Sequence, residues 1–262
     1  MTATVTETVR TTVRRPSYLV FSDVDETLIN TKSMFDFLRF RLVRRHGDEE
    51  GEARYRLIAR QLRARSAEGT PREEVNREYY RHYTGEDAPR TEALGREWFA
   101  QRSAGEDFFI GPTLAALNGH RAAGADVVLV SGSFLPCLAP IAEHVGAAHV
   151  LATTPLVRDG RYTGEVAEPM IGNGKRAAVM RLLADHPGVD PHDCYAFGDH
   201  PSDLPMLECV GNPRVVGGHP EMMRRLRASR DSATGCAVAC WSMGAGSGKA
   251  DPCPGGCALP LE

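Results

Sequence analysis

The apolar run Tyr18-Leu19-Val20-Phe21-Ser22 ends on Asp23-Val24-Asp25-Glu26-Thr27, with two carboxylates two residues apart where a buried strand should finish. Carboxylates are costly to hold at such a place unless something offsets their charge. A divalent cation and a phosphate would do so. The pair therefore proposes a place, the carboxyl end of a sheet, and a chemistry, phosphoryl transfer.

Beyond this strand the pattern changes. Residues 31–110 carry helical spacing and no convincing strand: Met34, Leu38 and Leu42 recur at i+4, as do Ile58 and Leu62. Thr70-Pro71-Arg72-Glu73 has the form of a capping box with proline at the first helical position. Val75 and Tyr79 share the apolar face of that helix, and Leu94 with Trp98 marks a fourth. From about residue 111 strands and helices alternate. Strands are predicted at 126–131, 149–153, 194–198 and 214–216, and helices at 134–145, 174–184 and 221–228. Arg158-Asp159-Gly160-Arg161-Tyr162 predicts a hairpin turn centred on Asp-Gly.

Such alternation implies an α/β fold, a Rossmann-like doubly wound parallel sheet, with an all-helical cap inserted after strand 1. The expected division is a polar arm at 1–16, a core of 17–30 and 111–230, a helical cap at 31–110, and a Gly/Cys-rich flexible tail at 231–262. At 262 residues the chain is long enough for a core plus such an insertion.

Ligands of open α/β sheets bind at the carboxyl ends of the strands. Three polar signals fall there: Asp23/Asp25, Ser131-Gly132-Ser133, and Gly198-Asp199 with Asp203. A fourth, Gly172-Asn173-Gly174-Lys175, opens the helix leading to the Asp199 strand. Singly, each has an ordinary reading as a turn, a helix cap or a solvated lysine. In this order and context they resemble the haloacid dehalogenase-like superfamily, in its phosphoserine-phosphatase-like branch with a helical cap, over residues 17–228.

That resemblance implies a role for each position. Asp23 would be the nucleophile that forms an aspartyl-phosphate. Asp25 would protonate the leaving oxygen and then take a proton from the attacking water, a contribution of roughly 10²–10⁴-fold. Mg²⁺ would be held by Asp23, the Asp25 backbone carbonyl and Asp199, with Asp203 in support. Ser131 and the Gly132 amide would hold phosphate oxygens, Lys175 would balance the negative charge, and Thr27 would steady the loop. Asp25 also discriminates within the superfamily. Its dehalogenases lack this second acid and its phosphonate-cleaving members resemble Asp-x-Ala, so the resemblance points to a phosphatase of a small phosphate ester. A phosphotransferase using an alcohol acceptor is the nearest alternative, and a non-catalytic binding module on the same fold is the alternative from another class.

Three departures bear on substrate. Ser202 stands where phosphoserine phosphatases carry Asn, and His200 replaces a small residue after Asp199. Lys32 stands where those enzymes place a Glu for the substrate ammonium. A cation there disfavours an amine and favours an anionic or neutral polar group. Lys32 and His200 are accordingly the substrate-contact candidates. Nine arginines at 39, 41, 44, 45, 54, 56, 60, 63 and 65 face only four acids between 39 and 65. Most read as a solvated helical face. Phe35, Tyr79, Tyr80, Trp98 and Phe99 read as the core of the insertion, which should close over the site.

A net charge of -3 argues against a nucleic-acid partner held by bulk charge. No apolar stretch has membrane-spanning length, and residues 1–16 lack a signal peptide's apolar region, so a cytoplasmic location is the default expectation. No sequence feature sets an oligomeric state. Cys137, Cys194 and Cys209 are expected in core elements. Cys236, Cys240, Cys253 and Cys257 are spaced for a loose tail rather than the tight Cys-x2-Cys knuckles of a zinc site.

Overall fold

The computed structural model describes residues 16–231 and 239–241. Residues 1–15 of the polar arm lie outside them, as do Cys236, Cys253 and Cys257. Strand β1 (Leu19–Ser22) is the third strand of a six-stranded sheet ordered β3-β2-β1-β6-β7-β8. The others are β2 (Asp126–Ser131), β3 (His149–Ala152), β6 (Tyr195–Gly198), β7 (Asn212–Val216) and β8 (Ala239–Trp241). All neighbours pair in parallel. A parallel strand covered on both faces must be apolar throughout, which accounts for the unbroken run of β1. Successive side chains divide between the faces. Val20, Val127 and Leu129 join one core, whereas Leu19, Phe21, Val128 and Val130 join the other.

The second face packs on α7 (Asn173–Ala184), α8 (Leu204–Leu207) and α9 (Pro220–Asp231) through Val179, Leu207 and Met222. The first face packs on α5 (Gly111–Ala122) and α6 (Leu135–Val145), and beyond them on four helices that follow β1. These are α1 (Ser33–His46), α2 (Asp48–Ala67), α3 (Arg72–Arg81) and α4 (Ala88–Ser103). Their core is continuous with that of the sheet. Phe134, just before α6, lies 5.9 Å from Phe37, 5.3 Å from Tyr80 and 5.1 Å from Tyr83, ring to ring. Tyr79, Tyr80 and Trp98 are fully buried, so these aromatics are packing residues. At Gly95 of α4 an added Cβ would come within 1.9 Å of the Pro136 carbonyl oxygen, so only glycine lets α4 approach α6 this closely.

Strands β4 (Pro155–Arg158) and β5 (Arg161–Val166) form the hairpin read at Asp159-Gly160. Both turn residues have positive φ, 51° and 73°, the left-handed geometry that a tight two-residue hairpin needs. Tyr162 ties this hairpin to the helices, its backbone accepting from the Gly85 N–H and donating to the Glu86 carbonyl.

Two local readings are corrected. Thr70 does not cap α3: Glu74 and Val75 donate to the Pro71 carbonyl, so Pro71 stands at the cap position and no side chain closes the turn. The Thr70 N–H instead closes the end of α2 on the Arg65 carbonyl. The second correction falls in the tail, where Ala239–Trp241 pairs with β7 as the edge strand β8.

Candidate active site

In a sheet of this order the crevice opens beside β1, where the chain reverses its direction of winding, and Asp23 and Asp199 stand at the ends of the two strands that flank it. The Asp23 N–H donates to the Phe197 carbonyl at 2.9 Å, which fixes the start of the loop against β6. The loop then turns tightly: Thr27, Leu28 and Ile29 all donate to the Val24 carbonyl. Glu26 carries the strain of this turn with φ 62°, a left-handed conformation costing roughly 1–2 kcal/mol for a residue with a Cβ.

Asp23, Lys175 and Asp203 are all buried. The Lys175 ammonium donates to Asp23 Oδ1 at 2.5 Å and to Asp203 Oδ1 at 2.7 Å. Burial pulls the Lys175 pKa down, but the Asp203 and Asp23 carboxylates outweigh it and raise it above the ordinary value. Burial pushes the Asp23 carboxyl well up, against the lowering effect of Lys175. Asp199 is raised by burial too, while the Thr27 hydroxyl donates to its Oδ1 at 2.8 Å and favours the anion. Thr27 thus holds Asp199 as well as its own loop. At Gly198 an added Cβ would meet the Asp203 side chain at 2.7 Å, so glycine lets Asp203 fold back under the site.

Asp25 is held apart from this trio. Its Oδ1 accepts from the Ser33 N–H at 3.0 Å, at the first residue of α1. Burial pushes its carboxyl up to about 6, with Ser33 opposing the shift. That range suits a group that must both give and take a proton near neutrality. It also implies a cost. A raised native pKa means the folded state holds its proton longer than the unfolded one, so stability is full below about pH 4 and is lost as pH rises through 6. From 3.8 to about 6 the loss is about 3 kcal/mol. Asp25→Asn should remove that slope, as read by urea denaturation in chelator at pH 4, 6 and 8. A variant with the wild-type slope would overturn the assignment.

On the neighbouring strand, Ser131 accepts from the Ser133 N–H at 3.1 Å, and Ser133 meets the Ser33 hydroxyl at 3.0 Å. The Gly132 carbonyl accepts from Asn76 Nδ2 at 2.9 Å and from the Tyr80 hydroxyl at 3.1 Å. Both donors lie on α3, so the helical insertion clamps the peptide that follows the Gly132 amide. The Gly132 Cα itself faces Ile171, whose Cγ1 would lie 3.2 Å from an added Cβ. Ser33, Asn76 and Tyr80 join the site without having stood out in the sequence. A lone amide on the apolar face of α3 is the signal that could have found one of them.

The substrate candidates stand at the rim. Lys32 is more than half exposed and pairs with Glu26 at 3.1 Å. Its charge is therefore partly answered by its own loop. His200 takes the Ser202 N–H on Nδ1 at 3.1 Å, and Arg72 Nη1 lies 2.8 Å from its Nε2. Burial first and Arg72 second push this imidazole down to about 4, so it is neutral at pH 7. The His200 N–H donates to Asp203 Oδ2, which ties the rim to the buried cluster.

Asp23, Asp199 and Asp203 each offer a carboxylate oxygen, all within 4.8 Å of one another. Three buried or half-buried acids, two of them on one lysine, form a hard, oxygen-only donor set with negative charge to spare, which fits a divalent cation such as Mg²⁺.

A family model described as haloacid dehalogenase-like hydrolase matches residues 20–208. A probable phosphatase of Mycobacterium tuberculosis is 44% identical over 113 residues, 43% of this chain and 38% of that one. A phosphoserine phosphatase of the same organism is 29% identical over 75% of this chain and 63% of its own length. The chain thus spans well under two thirds of the first of these relatives. Among solved structures, a Bordetella pertussis protein of unknown function matches with TM-score 0.70 and 27% identity, over 81% of this chain and 96% of that one. A phospho-aspartyl intermediate analogue of phosphoserine phosphatase matches with TM-score 0.56 and 20% identity, over 80% and 91%.

Proposed function

The chain belongs to the haloacid dehalogenase-like hydrolases, and we propose that it is a Mg²⁺-dependent phosphatase of a small phosphate monoester, working through an aspartyl-phosphate. The observation that carries this reading is the separation of the two acids. Asp23 lies in the buried cluster with Lys175, and Asp25 is held off on the Ser33 amide with its carboxyl near 6.

In this reading Asp23 attacks phosphorus while Lys175 and the Ser131–Gly132 turn stabilise the charge on the phosphoryl oxygens. Asp25 gives its proton to the leaving oxygen and later takes one from the water that hydrolyses the acyl-phosphate. Asp23, Asp199, Asp203 and the Asp25 carbonyl would hold the cation, which supplies neutralisation of the acids and of the incoming phosphate. Helices α1–α4 act as the cap that keeps bulk water out, clamped by Asn76 and Tyr80 at Gly132.

Relatives named as phosphatases support the hydrolytic reading over phosphotransfer. Lys32, in place of an acid, turns the substrate away from phosphoserine toward an ester whose remainder is anionic or neutral.

The test is phosphate release across sugar, amino-acid, nucleotide and polyol phosphates, with Mg²⁺ and with chelator. Turnover of at least one class with Mg²⁺, and none with chelator, is expected. Added alcohols should not divert product into new ester. No release from any class with Mg²⁺ would favour the binding-module reading.

A further inference from the structure

A cleft of about 800 Å³ opens at the other end of α1 from Ser33, between the C-terminal part of that helix, residues 84–87 and the first turns of α4. Five arginines line it against three acids. All three acids are engaged. Arg41 and Arg45 both bind the same oxygen of Glu86, Arg44 takes Glu97 at 2.9 Å, and Asp87 caps α4 by accepting from the Arg90 N–H at 2.9 Å. The Arg90 guanidinium has no acidic partner among the described residues, and Arg161 reaches only the Gly85 carbonyl, at 2.8 Å.

The unusual member is Arg41, which is 4% exposed. Its guanidinium stacks 4.3 Å over the Tyr83 ring, Nη2 donates to the His82 carbonyl, and Nε is buried with no partner. A buried cation normally needs a carboxylate of its own. Here Arg41 shares its carboxylate with a second arginine, so the floor of the cleft is under-neutralised. Guanidinium groups match carboxylate and phosphate oxygens in paired hydrogen bonds.

We propose that this cleft is a second, non-catalytic binding site for a small anion bearing two or more acidic groups, a phosphorylated or polycarboxylate metabolite. Arg90 and Arg161 would receive it above Arg41, and the helical insertion would carry a ligand independent of the ester at Asp23.

Metal-free protein isolates the site, because the catalytic cluster then presents Asp23, Asp25, Asp199 and Asp203 against Lys175 and repels anions. Calorimetric titration of chelator-treated full-length protein with pyrophosphate, and separately with citrate, should show one equivalent bound with Kd below about 1 mM for at least one probe. The tighter probe identifies the acidic group. Arg90→Gln with Arg161→Gln, both exposed, should weaken binding about tenfold or more without moving the melting temperature. Arg56→Gln with Arg60→Gln, on the separate arginine face of α2, should leave it unchanged. Failure of both probes to bind overturns the proposal. So does undiminished affinity in the first double variant, or an equal loss in the second.

Discussion

Replacing Asp23 with asparagine should lower phosphate release by about 10⁴-fold or more while leaving the fold intact. The amide keeps the shape and the oxygen that accepts from Lys175, so the contact that holds this side chain can persist. What it loses is the anionic oxygen proposed as the nucleophile. Because burial already holds the Asp23 carboxyl well above its ordinary pKa, removing its charge relieves a desolvation cost, and the metal-free variant should unfold at a similar or higher urea concentration than wild type. Acid quenching during turnover should trap a phosphorylated enzyme with the native chain and none with the variant. Full activity in Asp23→Asn, or a phosphoenzyme that survives the substitution, would place the nucleophile elsewhere.

The same residues show what a sequence can and cannot disclose. The α/β fold is legible because β1 and β2 are unbroken apolar runs, and because only a strand buried on both faces can be so. The polar residues that end those runs mark the mouth of the crevice. Asp23, Lys175 and the Asp199/Asp203 pair come from three separate stretches, and the structure brings them within hydrogen-bonding or cation-sharing distance. The hidden part depends on contacts between distant stretches. Nothing local in Asn76 or Tyr80 announces that both will bond the Gly132 carbonyl, 56 and 52 residues away. Nor does the sequence show that Lys32 will be answered by Glu26, a residue that sits in a left-handed turn. The arginine run misleads in one respect. Most of its members are exposed and several pair along the helices, yet Arg41 is buried, because α1 turns that position toward Tyr83.

Lys175→Met should be the most destabilising single change near the site. Lys175 is 3% exposed and is the shared donor to Asp23 and Asp203, themselves 7% and 1% exposed. Methionine fills a similar volume but leaves two buried carboxylates facing each other without a cation. Breaking a buried pair from one side costs about 3–5 kcal/mol, far more than an exposed pair is worth. The loss should depend on pH in a predictable direction. With the ammonium gone, the lowering influence on Asp23 disappears and its already raised pKa climbs further. The variant's folded state then holds a proton that the unfolded state releases, so its stability falls as pH rises above the unfolded value of about 4. Urea denaturation in chelator should therefore find the variant far below wild type at pH 8 and much closer to it at pH 5. Mg²⁺ should recover part of the deficit at pH 8, because a cation bound to the folded state alone stabilises it by mass action and replaces the missing charge. Phosphate release should stay abolished even with the fold restored, since nothing then balances the phosphoryl oxygens. A variant within about 1 kcal/mol of wild type at pH 8 in chelator would mean that this lysine does not offset the charge of the buried acids. The charge balance on which the candidate site rests would then be wrong.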